Sequence, residues 1–146
     1  MIPVEQRQLY VPDVSVGDCW KCCIASILEL DYDDVPHFYE LEARGEIESG
    51  WNATQDFLRE RGLAMATFAL WGAKSPRLQF GTRRIGYHFT APGHWIAGVE
   101  SPRKTPEGDH LSHVVVMRGS YLVWDPHPAR DEGHNGFTEA FLLVTA

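Results

Sequence analysis

The sequence predicts an α+β domain, with N-terminal helices packed on a C-terminal antiparallel sheet. Between residues 19 and 62, apolar residues fall at helical spacing, and Pro36, Gly45, Gly50 and Gly62 punctuate the pattern. From residue 94 onward, runs rich in Val, Ile and aromatic residues alternate with Gly and Pro turns. With 146 residues, 44% of them hydrophobic, the chain is long enough to bury a core and is expected to form one domain over residues 1–146.

Residues 1–17 read as an extended arm, punctuated by Pro3 and Pro12 and closed by Gly17. A first helix is expected from Cys19 to Leu30, with Asp18 as its N-cap. A second runs from Val35 to Ala43 with Pro36 in its first turn. A third is capped by Asn52 or Thr54 and turns Phe57, Leu58 and Trp51 inward. Leu63–Leu70 is a strand candidate, and the Gly-, Arg- and Lys-rich stretch 71–87 reads as a long loop. His94–Val99 is a short strand, followed by a turn-rich connection from Ser101 to Asp109. His113–Met117 and Tyr121–Asp125 flank Arg118-Gly119-Ser120 as a hairpin, and Phe137–Val144 supplies a last strand.

A formal charge of −7 argues against a nucleic-acid backbone as the main partner. No segment has the length and apolarity of a membrane span or a secretory leader, so no membrane partner is expected and the simplest compartment is the cytoplasm. The three cysteines, Cys19, Cys22 and Cys23, share one helix, which suits reduced thiols rather than a disulfide framework.

Cys19 is the candidate nucleophile. In the first turn of a helix its sulfur lies near unpaired backbone N–H groups and the positive end of the helix dipole, which favours thiolate. The Asp18 carboxylate opposes that, so activation requires a partner base. A three-residue turn at Arg118-Gly119-Ser120 would pair Met117 with Tyr121 and set His113 directly opposite Asp125, where the carboxylate fixes the imidazole tautomer. A two-residue turn would put the pair on opposite faces.

These residues bring a family into view. The order Cys19, His113, Asp125 resembles the papain-like cysteine hydrolases. Gly17-Asp18-Cys19, Asp34-Val35-Pro36-His37 and Asp125-Pro126-His127-Pro128 are similar to small peptidase-like domains of phages and bacteria, akin to the bacteriocin-leader peptidase-like group. The resemblance implies a papain-like fold, Cys19 as nucleophile, His113 as base and then acid, and Asp125 as orienter, with no cofactor. It implies hydrolysis of an amide, peptide or isopeptide bond in a peptide, protein or small molecule through a thioester. A glutamine upstream of the cysteine donates to the oxyanion in such enzymes. Six residues before Cys19 stands Asp13, so Gln6 or Gln8 would have to reach across a loop. Trp20, Trp95 and His127 are the candidates for lining the substrate groove.

Other readings compete. Cys19-Trp20-Lys21-Cys22 is a CxxC at a helix start, but the strand-helix-strand runs of a thioredoxin-like redox protein are missing. His110, His113, Asp125 and His127 permit a zinc site, although His110 and His113 face opposite sides of an extended strand. His94 is a competing base, while His37, His88 and His134 read as surface residues. Arg77, Arg83 and Arg84 form a basic cluster suited to an acidic group. A catalytically silent binding module on the same fold and a thioester-based acyl transferase are the alternatives in function.

Overall fold

The computed structural model describes residues 1–70, 91–130, 134 and 136–146 of the chain. Three helices precede and flank a five-stranded antiparallel sheet, an α+β arrangement. The loop expected at 71–87, with its Arg77, Arg83 and Arg84 cluster, and His88 lie outside the described residues.

Helix α1 spans Cys19–Leu28. It ends two residues before Leu30, because Glu29 takes a left-handed conformation (φ 57°) and closes the last turn. Asp18 is the N-cap residue, but its side chain makes no capping bond. A 3-10 turn follows at Tyr32–Asp34, and α2 is confined to Phe38–Ala43. The expected start at Val35 fails because the residue before a proline is driven out of helical conformation, and Val35 is extended (φ −109°, ψ 121°). Helix α3, Gly50–Arg59, is capped by Ser49, whose Oγ accepts from the Asn52 N–H at 3.2 Å, rather than by Asn52 or Thr54. Thr54 instead donates to the Gly50 carbonyl and receives Trp20 Nε1–H at 3.2 Å.

The strands are β1 (Leu63–Ala69), β2 (His94–Lys104), β3 (His110–Arg118), β4 (Tyr121–Trp124) and β5 (Phe137–Thr145), in the spatial order β1-β5-β2-β3-β4. β2 runs through Pro102 to Lys104, so the turn expected across Ser101–Asp109 is confined to its second half. A reciprocal pair of bonds, Gln55 Nε2–H to the Met65 carbonyl and Met65 N–H to Gln55 Oε1, fastens α3 to β1.

Strand alternation divides the core in two. Ile96 and Val116 join Trp20, Cys23, Ile24, Val35, Phe38, Leu58, Met65 and Phe141 between helices and sheet. Trp95, Ala97, Val99, Val115 and Met117 form a second buried cluster with Leu122, Phe137 and Ala140. Being buried on both faces, the central strands read as continuous apolar runs. Among the described residues, no helix is long and apolar enough to cross a membrane.

The β3-β4 hairpin departs from expectation in a way that matters. Arg118 pairs with Tyr121, leaving a two-residue turn with Gly119 at φ 58°. That register alone would set His113 and Asp125 on opposite faces. The ladder then shifts by one residue: Met117 pairs with Leu122 but Val116 with Trp124, making Val123 a bulge. The extra residue restores parity. Continued past Trp124, the shifted register places Asp125 opposite Val115 and diagonal to His113, instead of directly across from it.

Candidate functional site

Cys19 is the first residue of α1 and half-exposed, whereas Cys22 and Cys23 behind it are fully buried. The helix is held against β3, where the Cys23 thiol donates to the Val114 carbonyl at 3.5 Å. This puts the N-terminus of α1 beside His113.

His113 is 3% exposed, and its Nε2 lies 2.8 Å from Asp125 Oδ1. An ionised carboxylate only accepts, so Nε2 carries the proton and the other ring nitrogen, Nδ1, is left for a thiol. Cys19 lines the same cavity as His113, and its thiol is near enough to act on the ring electrostatically. Burial pulls the imidazole pKa down. The hydrogen bond to Asp125 and the negative character of Asp125 and Cys19 outweigh that, and the pKa rises from 6.5 to about 9. Asp125 is 1% exposed. Burial favours its neutral form, but donation from His113, His134 and the His127 backbone holds the carboxyl well below the usual carboxylate range. The three residues singled out from the sequence are therefore brought together, by a bulge rather than by a direct cross-strand pair.

The surrounding residues divide. Gln6 lines a cavity of about 410 Å³ with Cys19, Trp20 and His113. Its Nε2 makes a long bond, 3.4 Å, to the Gln8 carbonyl, and its Oε1 is buried without a partner among the described residues. Gln8 is a different matter: its side-chain amide donates to the Val16 carbonyl at 2.9 Å and is absent from the cavity lining, which removes it as an oxyanion donor. Trp20 serves both core and cavity, its ring edge-on to Phe141 at 4.9 Å. Trp95 does not line the groove, because it packs in the second cluster and donates from Nε1 to the Gly119 carbonyl. His127 is buried beside the His113 ring, 6.2 Å between centroids, and does not line the cavity either. His94, the competing base, pairs with Arg118 at the far end of β3 from His113. Its pKa is lowered, first by burial and then by the N-terminal amine and Arg118.

Asp18 takes a role the sequence did not indicate. Its carboxylate turns away from the helix end, and Oδ2 accepts from the backbone N–H groups of Arg7 and Gln8, both at 3.1 Å, and from the Tyr32 hydroxyl at 2.7 Å. Asp18 thus pins the arm that carries Gln6. The arm is tied further along by Gln6 N–H to the Pro126 carbonyl and Trp124 Nε1–H to the Val4 carbonyl.

Two features of the site went unread in the sequence. His134, expected at the surface, is 2% exposed, and its Nε2 lies 2.8 Å from Asp125 Oδ2. It stands in a polar stretch with no periodicity and no spacing that links it to Asp125. The cavity floor is the second feature. β5 bulges at Thr138 opposite Gly98, and both line the cavity; a Cβ on Gly98 would meet Thr138 Oγ1 at 2.7 Å, so a larger residue there would push the Thr138 side chain aside. His113, Asp125 and His134 form the one metal-compatible cluster found among the described residues, with ligand-type atoms within 4.8 Å of one another. Two 2.8 Å hydrogen bonds already satisfy those atoms pairwise. His110, in the zinc reading, is engaged with the Ser101 carbonyl at 2.7 Å.

Comparison with protein-family models, with curated proteins and with solved structures finds no match to this chain.

Proposed function

We propose that this chain is a papain-like cysteine hydrolase that cleaves an amide, peptide or isopeptide bond through a thioester. The observation that carries the reading is the His113 ring, buried, bonded to Asp125 on one nitrogen and sharing a cavity with Cys19. In this reading the Cys19 thiolate attacks the carbonyl carbon, and the oxyanion forms beside the Cys19 backbone N–H, which as the first residue of α1 has no partner within the helix. The Gln6 amide, facing the same cavity, is the second donor. Protonated His113 gives its Nδ1 proton to the leaving nitrogen, which departs as amine and leaves the thioester on Cys19. The neutral imidazole then takes a proton from water, whose oxygen attacks the thioester and releases the acid and the thiolate. Asp125 stays ionised throughout and keeps the ring in its tautomer.

Alkylation with iodoacetamide across pH tests the reading. A hydrolase is expected to label at Cys19 near neutral pH much faster than an ordinary thiol does, and to lose that enhancement in His113→Ala. Ordinary thiol reactivity at Cys19 would leave a binding module in its place.

A further inference from the structure

Both oxygens of Asp125 are held by imidazoles. His113 Nε2 and the His127 backbone N–H reach Oδ1 at 2.8 and 2.9 Å, and His134 Nε2 reaches Oδ2 at 2.8 Å. The two rings lie nearly parallel, 26° apart with centroids separated by 5.4 Å, so they grip one carboxylate from the same side. We propose that His134 is a positioning residue of this site, holding Asp125 by Oδ2 so that Oδ1 stays aimed at His113 Nε2. The working unit is then a chain of four side chains: Cys19, His113, Asp125 and His134. The inference rests on the hydrolase reading of the first three.

The carboxylate torsion of aspartate is broad, so a bond at one oxygen fixes it poorly, whereas donors on both oxygens fix its plane. A buried carboxylate oxygen with no donor would also disfavour the anion that His113 needs beside it. Among the described residues, Asp125 is the hydrogen-bond partner of the His134 side chain. Its Nδ1 is buried with no hydrogen-bond partner among the described residues, so the ring's hydrogen bonding is directed at Asp125. Besides His134, the described titratable groups around Asp125 are His113 from β3, His127 after β4, Arg130, whose Nε–H donates to the Asp125 carbonyl at 3.2 Å, and Cys19 and Cys23 from α1.

The test uses His134→Ala and His134→Gln in the full chain, because the glutamine amide can place a donor where Nε2 stood. Iodoacetamide alkylation of Cys19 is followed between about pH 5 and 9, alongside the His113 Nε2 proton in imidazole-selective nitrogen-15 spectra. His134→Ala is expected to slow alkylation near neutral pH about tenfold or more, to move the profile to higher pH and to shift or broaden the His113 proton. His134→Gln is expected to stay within about threefold of wild type and to keep that proton in place. A His134→Ala protein matching wild type in both readouts overturns the proposal, as does a folded His134→Gln that behaves like the alanine variant. If the alanine variant does not fold, the glutamine variant decides alone. Its failure to fold as well makes the residue structural and the proposal wrong. A wild-type Cys19 with no enhanced reactivity would instead sink the hydrolase reading, and the His113 proton would still decide whether His134 positions Asp125.

Discussion

The Gln6 backbone N–H donates to the Pro126 carbonyl at 2.9 Å, tying the N-terminal arm to the residue that follows Asp125. One stretch of chain thereby sets the Gln6 amide and the Asp125 carboxylate in fixed relation to Cys19. Gln6→Ala is expected to lower turnover by about 10²- to 10³-fold while leaving alkylation of Cys19 within about twofold of wild type. A parallel loss of both would mean that Gln6 shapes the thiol's surroundings rather than the oxyanion. Gln8→Ala, whose amide serves Val16, is expected to leave turnover nearly intact.

Asp125→Asn replaces an acceptor-only carboxylate that receives three donors. The new amide N–H₂ must face one of them, so the variant is expected to lose about 1–3 kcal/mol of stability as well as most of its turnover. Chemical denaturation together with a hydrolysis assay checks this. An Asn variant as stable as wild type would mean that His134 had switched tautomer to accommodate the amide.

Stability should depend on pH through His113. Its folded pKa, about 9, lies above the ordinary 6.5. The stability it contributes is therefore fully present below about 6.5 and is lost as pH rises through about 9. Asp125, held below its ordinary 3.8, contributes in the opposite sense, with stability present above that value and lost as pH falls through the depressed one. Thermal melts are expected to show Tm declining from pH 6.5 toward 9, with a smaller decline in Asp125→Asn. An identical alkaline slope in that variant would dissociate Asp125 from the raised imidazole.

The three thiols should behave differently. Burial pushes the Cys22 and Cys23 thiols far up, reinforced by Asp18 at Cys22 and by Cys19 at both. Mass spectrometry of the native protein after brief alkylation is expected to find one label, on Cys19. Cys23→Ala removes a fully buried sulfur that touches Val114 and should lower stability by about 1–2 kcal/mol with turnover retained. Labelling of Cys22 at a comparable rate would favour the redox reading of the CxxC.

Asp18→Ala strands two backbone N–H groups and the Tyr32 hydroxyl, and is expected to reduce stability by about 2–4 kcal/mol. Tyr32→Phe, which removes one of the three donors, should reduce it by about 1 kcal/mol. Because the clamp aligns the arm bearing Gln6, both variants should lose turnover in the same order. Full turnover in a folded Asp18→Ala protein would show that Gln6 is placed without it.

The sequence by itself determined the helical and β halves, the start of α1 at Cys19, and the strand that carries His113. Those features follow from local periodicity, β-branched runs and turn residues, whose physics is contained within a few neighbours. It also singled out Asp125, yet through a turn the chain does not adopt. A one-residue bulge at Val123 depends on how the hairpin packs, since Val123 and Trp124 both turn toward the core between helices and sheet. Tertiary structure alone decided that Asp18 faces the arm instead of capping α1, that Gln6 rather than Gln8 enters the cavity, and that His134 is buried on Asp125. Each of these is a contact between segments distant in sequence, fixed by which buried polar group finds a partner once the sheet and helices have packed, and no local pattern encodes that choice.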